Sequence, residues 1–235
     1  MKKLISLLVL VSFSTLASDN EIFVDQVGAT ANIDLEQLGS GNIIGGLLAT
    51  AGSMTALDLD GTSMTLDINQ IGNTNKFLGD MYADTYTGYF NFDGDTNTFT
   101  SKMDPTNAFG ADGSNVNVQV TGSTNTFTLD LATAALASGA DIDWTVQGSS
   151  NTINADIDVD SATNYMSIDG NSNTVNYDGD GYAQGYFHLT HTGSSRAFDV
   201  DQQSTQDNDW LKVTSTGSSG TVCINQDDQG TSVGC

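Results

Sequence analysis

Residues 24–44 read VDQVGATANIDLEQLGSGNII. Gln26-Val27-Gly28 returns eleven residues on as Gln37-Leu38-Gly39, and Asn42 follows three positions after the second glycine. Self-similarity at a fixed period decides fold class before local propensity does. Working outward, the two glycines have equivalents at Gly61, Gly72, Gly94, Gly122, Gly148, Gly170, Gly193 and Gly217. The spacings are 11, 22, 11, 22, 28, 26, 22, 23 and 24 residues, mainly eleven or twice eleven with insertions.

Two apolar columns accompany these anchors. Four residues before each stand Val24, Leu35, Leu57, Ile68, Phe90, Val118, Trp144, Met166, Leu189 and Val213. Five after stand Ile33, Ile44, Leu66, Phe77, Phe99, Phe127, Ile153, Val175, Phe198 and Val222. In a chain that is 38% hydrophobic, twenty apolar residues at twenty positions are not chance. Between the columns, Asn42, Asn75, Asn97, Asn125, Asn151 and Asn173 fall three residues after an anchor, usually preceded by Thr or Ser.

This pattern predicts strand, tight turn, strand. Period-2 alternation sends one side of each strand inward. Glycine supplies the positive φ expected of the bend, and asparagine tolerates the left-handed region while bonding its own backbone. No 3.6-residue period survives beside these glycines and β-branched residues, which excludes helix. An antiparallel sandwich does not require the same residue type at the same place in every unit. A solenoid does, because each coil lies about 4.8 Å above the last and equivalent positions stack. The expected fold is therefore all-β, a β-solenoid of about 22-residue coils in two stacked parallel sheets.

Gln26-x-Gly28, Gln37-x-Gly39-x-x-Asn42 and Gln70-x-Gly72-x-x-Asn75 resemble the curlin repeat of curli subunits, Q-x-G-x-x-N in half-coils of roughly eleven residues. The resemblance implies an extracellular functional amyloid of a bacterium with an outer membrane. Subunits would fold as flattened solenoids and stack end to end into matrix or adhesive fibres. Partners would be further copies of the chain, with secretion and nucleation partners at the outer membrane. Inward Gln and Asn would form ladders of their own kind, a cross-β device. The turn and ladder positions are then Gln26, Gly28, Gln37, Gly39, Asn42, Gln70, Gly72, Asn75, Gly94, Asn97, Gly122, Asn125, Gly148, Asn151, Gly170 and Asn173. Departures are plain: later units put Leu59, Phe92, Val120, Val146, Ile168, His191 and Ser215 in the Gln column, and Arg196 and Gly220 replace Asn. Extra loops fall near 101–113 and 131–141.

The chain's ends add context. Residues 1–17, MKKLISLLVLVSFSTLA, read as a secretory signal peptide, with Lys2-Lys3, a short apolar stretch and small residues at the cleavage site. Repeats occupy 18–222, and 223–235 read as a cap carrying the only cysteines, Cys223 and Cys235. Two cysteines in an exported chain suggest a disulfide, whose short loop contributes about 3 kcal/mol. After the leader, four basic residues (Lys76, Lys102, Arg196, Lys212) face 29 acidic ones, a net charge of −25. Nucleic acid and anionic lipid require clustered Lys and Arg, so neither is an expected partner. No later stretch is long and apolar enough for a membrane helix.

Candidates for chemistry are few. Asp58 with Asp60, Asp93 with Asp95, and Asp178 with Asp180 place carboxylates two apart beside glycine, which suits weak Ca²⁺ binding or solvated turns. No other cofactor is implied. His188 and His191 lie three apart on a strand, hence on opposite faces. Nucleophile elbows and phosphate loops are absent from the sequence, so an enzyme is not expected. Tyr82, Tyr86, Tyr89, Phe90, Tyr165, Tyr182, Tyr186 and Phe187 are expected in core or interface packing, or as a stripe that binds polysaccharide. T-x-T occurs at Thr98 with Thr100 and at Thr126 with Thr128, two rungs only, too few for an ice-binding array. The expected function is a structural fibre subunit; the alternative is a discrete adhesin or surface module that binds sugar or calcium.

Overall fold

A computed structural model describes residues 20–47, 54–104, 111–132, 137–181, 184–204 and 209–227. Residues read as the signal peptide lie outside this set, as do Tyr182 and Cys235. The chain opens with β1 (Asn20–Ile22), β2 (Asp25–Val27), β3 (Thr30–Leu38) and β4 (Asn42–Ile44). An antiparallel hairpin of β5 (Gly46–Leu47) and β6 (Met54–Thr55) interrupts it before β7 (Leu57–Ile71) and β8 (Thr74–Asp93). There follow β9 (Thr96–Met103), β10 (Asn115–Thr121), β11 (Thr124–Leu131), β12 (Ala137–Ser138), β13 (Asp141–Gln147) and β14 (Asn151–Asp160). The last are β15 (Thr163–Asp169), β16 (Asn173–Gly181), β17 (Tyr186–Thr192), β18 (Arg196–Ser204), β19 (Trp210–Thr216) and β20 (Thr221–Asp227).

Apart from the hairpin, every pairing is parallel and in register, and no described residue is helical. The result is a β-solenoid with about seven turns between the stacked glycines Gly39 and Gly217 and coils of roughly 24 residues, slightly longer than the 22 expected. Each coil contributes to two sheets. The upstream sheet, whose strands lead into the glycine turn, holds β3, the second halves of β7 and β8, then β10, β13, β15, β17 and β19. The downstream sheet, whose strands leave that turn, begins with β1 and β2, followed by β4 with the start of β7, and the start of β8. It continues through β9, β11, β14, β16, β18 and β20.

Strict alternation builds the core. β13, sequence DIDWTVQ, buries Ile142, Trp144 and Val146 and exposes the residues between. The two sheets meet through these inward rows: Phe99 from the downstream sheet packs edge-on against Trp144 from the upstream one, centroids 6.3 Å apart. Along the downstream column Phe77 and Phe99 stack at 5.2 Å. Both apolar columns read from the sequence point inward as expected. The last strand runs beyond the boundary read at residue 222, so 223–227 continue the ladder. Among the described residues no helix is long and apolar enough to cross a membrane.

Candidate functional site

The glycine column does a different job from the one its spacing suggested. Eight of the ten anchors, from Gly39 to Gly217, stack at one corner, while Gly28 and Gly61 stack at the opposite corner. The eleven-residue interval therefore links the two corners of one coil. Only the glycine corner keeps a fixed length. The opposite corner takes up the length differences of the later coils, between Met103 and Asn115 and between Leu131 and Asp141, whereas the β5–β6 hairpin is inserted within the downstream strand between Ile44 and Leu57. Glycine is required because successive coils touch there. A Cβ on Gly72 would overlap the carbonyl oxygen of Gly39, and one on Gly148 that of Gly122. Positive φ is a lesser reason: the column shows it at Gly39, Gly148 and Gly170, while Ser150 and Ser172, not Asn, take the left-handed turn position.

Asparagine instead opens the downstream strand and is buried in all six repeats that carry it. The carboxamides form one directional chain. Asn42 Nδ2 donates to Asn75 Oδ1 at 3.1 Å, Asn75 to Asn97 at 2.8 Å, and Asn97 to Asn125 at 2.8 Å. Asn125 donates to Asn151 at 2.7 Å and Asn151 to Asn173 at 2.9 Å. Each also holds turn backbone, as Asn151 Nδ2 does at the Gly148 carbonyl, 2.8 Å. The chain ends where Arg196 replaces Asn. Asn173 Nδ2 then meets His191 Nε2 at 3.1 Å, and His191 Nδ1 meets Ser215 Oγ at 3.0 Å. An amide nitrogen can only donate, so Nε2 accepts and the proton sits on Nδ1. Burial, the largest cause, lowers the His191 pKa and keeps this neutral form.

The glutamine ladder is shorter than its motif. Gln70 Nε2 donates to Gln37 Oε1 at 2.7 Å, both buried. Gln26 is aligned with Leu59 at the opposite corner and takes no part in that pair. From Phe92 onward the column is apolar until His191 and Ser215.

Register also assembles a feature that reading by motif overlooked. Asp25, Asp58, Asp80, Lys102, Asp130, Asp156, Asp178, Asp201 and Asn225 align in one outward column of the downstream sheet. The signal was present: from Gly72 on, this residue stands eight after each stacked anchor. Asp158 and Asp180 form a second column two residues along. Burial pushes the Asp158 carboxyl up to about 7, with Asp156, Asp180 and Asp178 adding repulsion. Burial and then Asp180, Asp201, Asp156 and Asp199 raise Asp178 to about 6. An open groove of about 330 Å³ runs over Asp130, Asp156, Asp178, Asp199 and Asp201.

The three carboxylate pairs read as weak calcium candidates do not converge on one another. Among the described residues no group of three or more His, Cys, Asp or Glu is placed to hold a metal ion. Asp58 and Asp60 are exposed neighbours on the downstream face at the start of β7. Asp60 lines an open hollow of about 260 Å³ with Tyr82, Asp84 and Asp104. Asp178 and Asp180 lie on the same face five rungs further along. Asp93 and Asp95 are also exposed, but they flank Gly94 at the glycine corner, far from either other pair in the coil. The role of Asp95 there is a backbone one: its carbonyl accepts from the amides of Ser123 and Thr124 in the next turn, at 3.1 and 2.9 Å. Alternation sets two of these arrangements: Asp58 with Asp60 and Asp178 with Asp180 stand side by side on one face of a strand.

The remaining candidates divide between core and surface. His188 and His191 do lie on opposite faces. Tyr86, Phe90 and Phe187 are core, whereas Tyr165, Tyr186, His188 and Trp210 cluster outside the upstream sheet, Tyr186 and Trp210 stacked at 4.1 Å. Only Tyr186 and Trp210 lie face to face; Tyr165 and Trp210 remain 43% and 39% exposed. The threonine column is longer than T-x-T showed: Thr98, Thr126, Thr152 and Thr174 align, but the neighbouring column changes from Thr128 to Asn154.

Among the described strands, both ends of the solenoid are open. At the first coil Ile22, Val24, Ile33 and Leu35 are only partly buried, although the same columns are fully buried in the middle. At the last coil Leu211 and Val213 are partly buried, and Val222 and Ile224 are 38% and 45% exposed. Cys223 is disulfide-bonded. Set beside known proteins, the chain matches no family model, no curated protein and no solved structure, so its own residues carry the functional reading.

Proposed function

We propose that the chain is an exported structural subunit that stacks end to end into an extracellular curli-like fibre. One observation carries this reading: the two ends expose the same cross-section. Among the described residues, each is a terminal strand with no further described strand beyond it and carries the apolar rows that interior coils bury under a neighbour. Unpaired parallel edges are templates for further strands, and the matching columns at the other end of a second copy provide them. The amide chain from Asn42 to Asn173 favours the same conclusion, because stacked carboxamides lock register between coils. On this reading the protein is a scaffold and not an enzyme, and its principal partner is itself.

The test is assembly. Purified protein concentrated at neutral pH in moderate salt should give unbranched filaments in negative-stain micrographs, and sonicated filaments should seed fresh protein. A monodisperse monomer at high concentration, in low and high salt alike, sinks the reading. A second reading, a discrete surface module, draws on the carboxylate groove over Asp130, Asp156, Asp178 and Asp201. It predicts a calcium-dependent rise in Tm with no polymer.

A further inference from the structure

The described strands make nine passes through the downstream sheet, from β1–β2 to β20, and eight through the upstream sheet, from β3 to β19. First and last passes thus lie in the same sheet. This parity matters for the stacking proposed above, on which the inference rests. If β20 of one copy pairs with β1–β2 of the next, the upstream sheet is a strand short at each junction. The edges of β19 and β3 would face each other two rungs apart, about 9.6 Å. Leu211 and Val213 on one side, and Ile33 and Leu35 on the other, would line that slot. A slot of this size keeps the β19 and β3 edges from hydrogen-bonding to each other, so the junction forgoes one sheet's pairing.

Removing one terminal strand closes both sheets at once, and the two candidates are held unequally. β20 pairs with β18 over seven consecutive residues and carries the disulfide-bonded Cys223. β1 and β2 pair over three residues each, broken at Phe23-Val24, with Phe23 47% and Val27 72% exposed. With β1–β2 gone, β20 takes the edge of β4 and β7, and β19 reaches β3. The columns then set the register. Leu211 falls on Ile33, Val213 on Leu35, and Ser215 on Gln37. On the outer face Lys212, one of six basic residues in the chain, falls on Asp34 with Glu36 two residues along.

We propose that segment 20–27 is a removable cover, displaced during head-to-tail assembly by β20 of a second copy while Lys212 docks on Asp34. The covered edge restrains growth until that exchange occurs.

A helical reconstruction of filaments grown from the full chain reads this directly. Eight rungs per subunit give an axial rise of about 38 Å, whereas nine rungs, with β1–β2 retained, give about 43 Å. A rise of about 43 Å overturns the exchange and leaves the fibre reading standing; absence of any filament overturns both. Charge exchange tests the register separately. Lys212→Glu and Asp34→Lys should each slow seeded elongation about threefold, and the double variant should regain the parent rate. Equal slowing in the double variant, or none in the singles, rules this register out.

Discussion

Asn97 shows what a ladder residue holds in place. Its carboxamide accepts from Asn75, donates to Asn125, and bonds the Gly94 carbonyl at 3.0 Å. Asn97→Ala should cost about 2–3 kcal/mol in a denaturant melt, because it leaves buried polar atoms of its neighbours without partners. Charge at residue scale gives a pH signature. Asp158 has a folded pKa of about 7 against an ordinary 3.8. For a raised carboxyl the folded state binds more protons, so its contribution is present below pH 3.8 and lost as pH rises through about 7. Tm should therefore fall between about pH 4 and pH 7, and Asp158→Asn should flatten that fall and raise Tm at the alkaline end. His191 works in the opposite sense: its lowered pKa favours the neutral ring, so stability drops as pH falls below its ordinary 6.5.

Strands and turns differ sharply in tolerance. At the opposite corner the sequence already carries insertions of different length between Met103 and Asn115 and between Leu131 and Asp141. Two extra residues after Asp112 should shift Tm little, whereas two after Gly122, where backbones of successive coils touch, should prevent folding. Thermal melts of the two variants would show the difference. Within strands, Phe99 touches Phe77, Phe90, Phe127 and Trp144, linking successive coils and both sheets. Phe99→Ala should cost about 3–5 kcal/mol in the same kind of denaturant melt. Columns such as Phe77, Phe99 and Phe127 were readable in the sequence because stacking demands the same residue type at a fixed offset from glycine. Gln26 misled, because a shared tripeptide does not reveal which corner it occupies; only pairing with Leu59 in place of Gln37 does. The aspartate pairs share a spacing but not a setting. Asp60 and Asp95 each stand two residues from a partner carboxylate, yet one sits on a sheet face and the other in a turn. The carboxylate column was written eight residues after most anchors, but Asp is ordinary at solvated positions, and only register turns scattered aspartates into a ladder. The end of the asparagine chain at His191 was hidden for another reason, since its contact with Asn173 joins side chains from opposite sheets.

For the whole molecule, charge and open edges oppose each other. A formal net charge of −23, with aspartates stacked rung upon rung, repels a second copy at low ionic strength. Screening shortens that repulsion to about 8 Å at physiological salt, while the apolar rows at the ends are indifferent to it. Elongation should therefore speed up as sodium chloride is raised from low to physiological concentration. If coils continue from one copy to the next along a single axis, X-ray diffraction from aligned filaments will record it. Strands stacked along the fibre should give a sharp reflection at about 4.8 Å on the meridian. A reflection at about 4.8 Å on the equator, or its absence from well-aligned filaments, would contradict it.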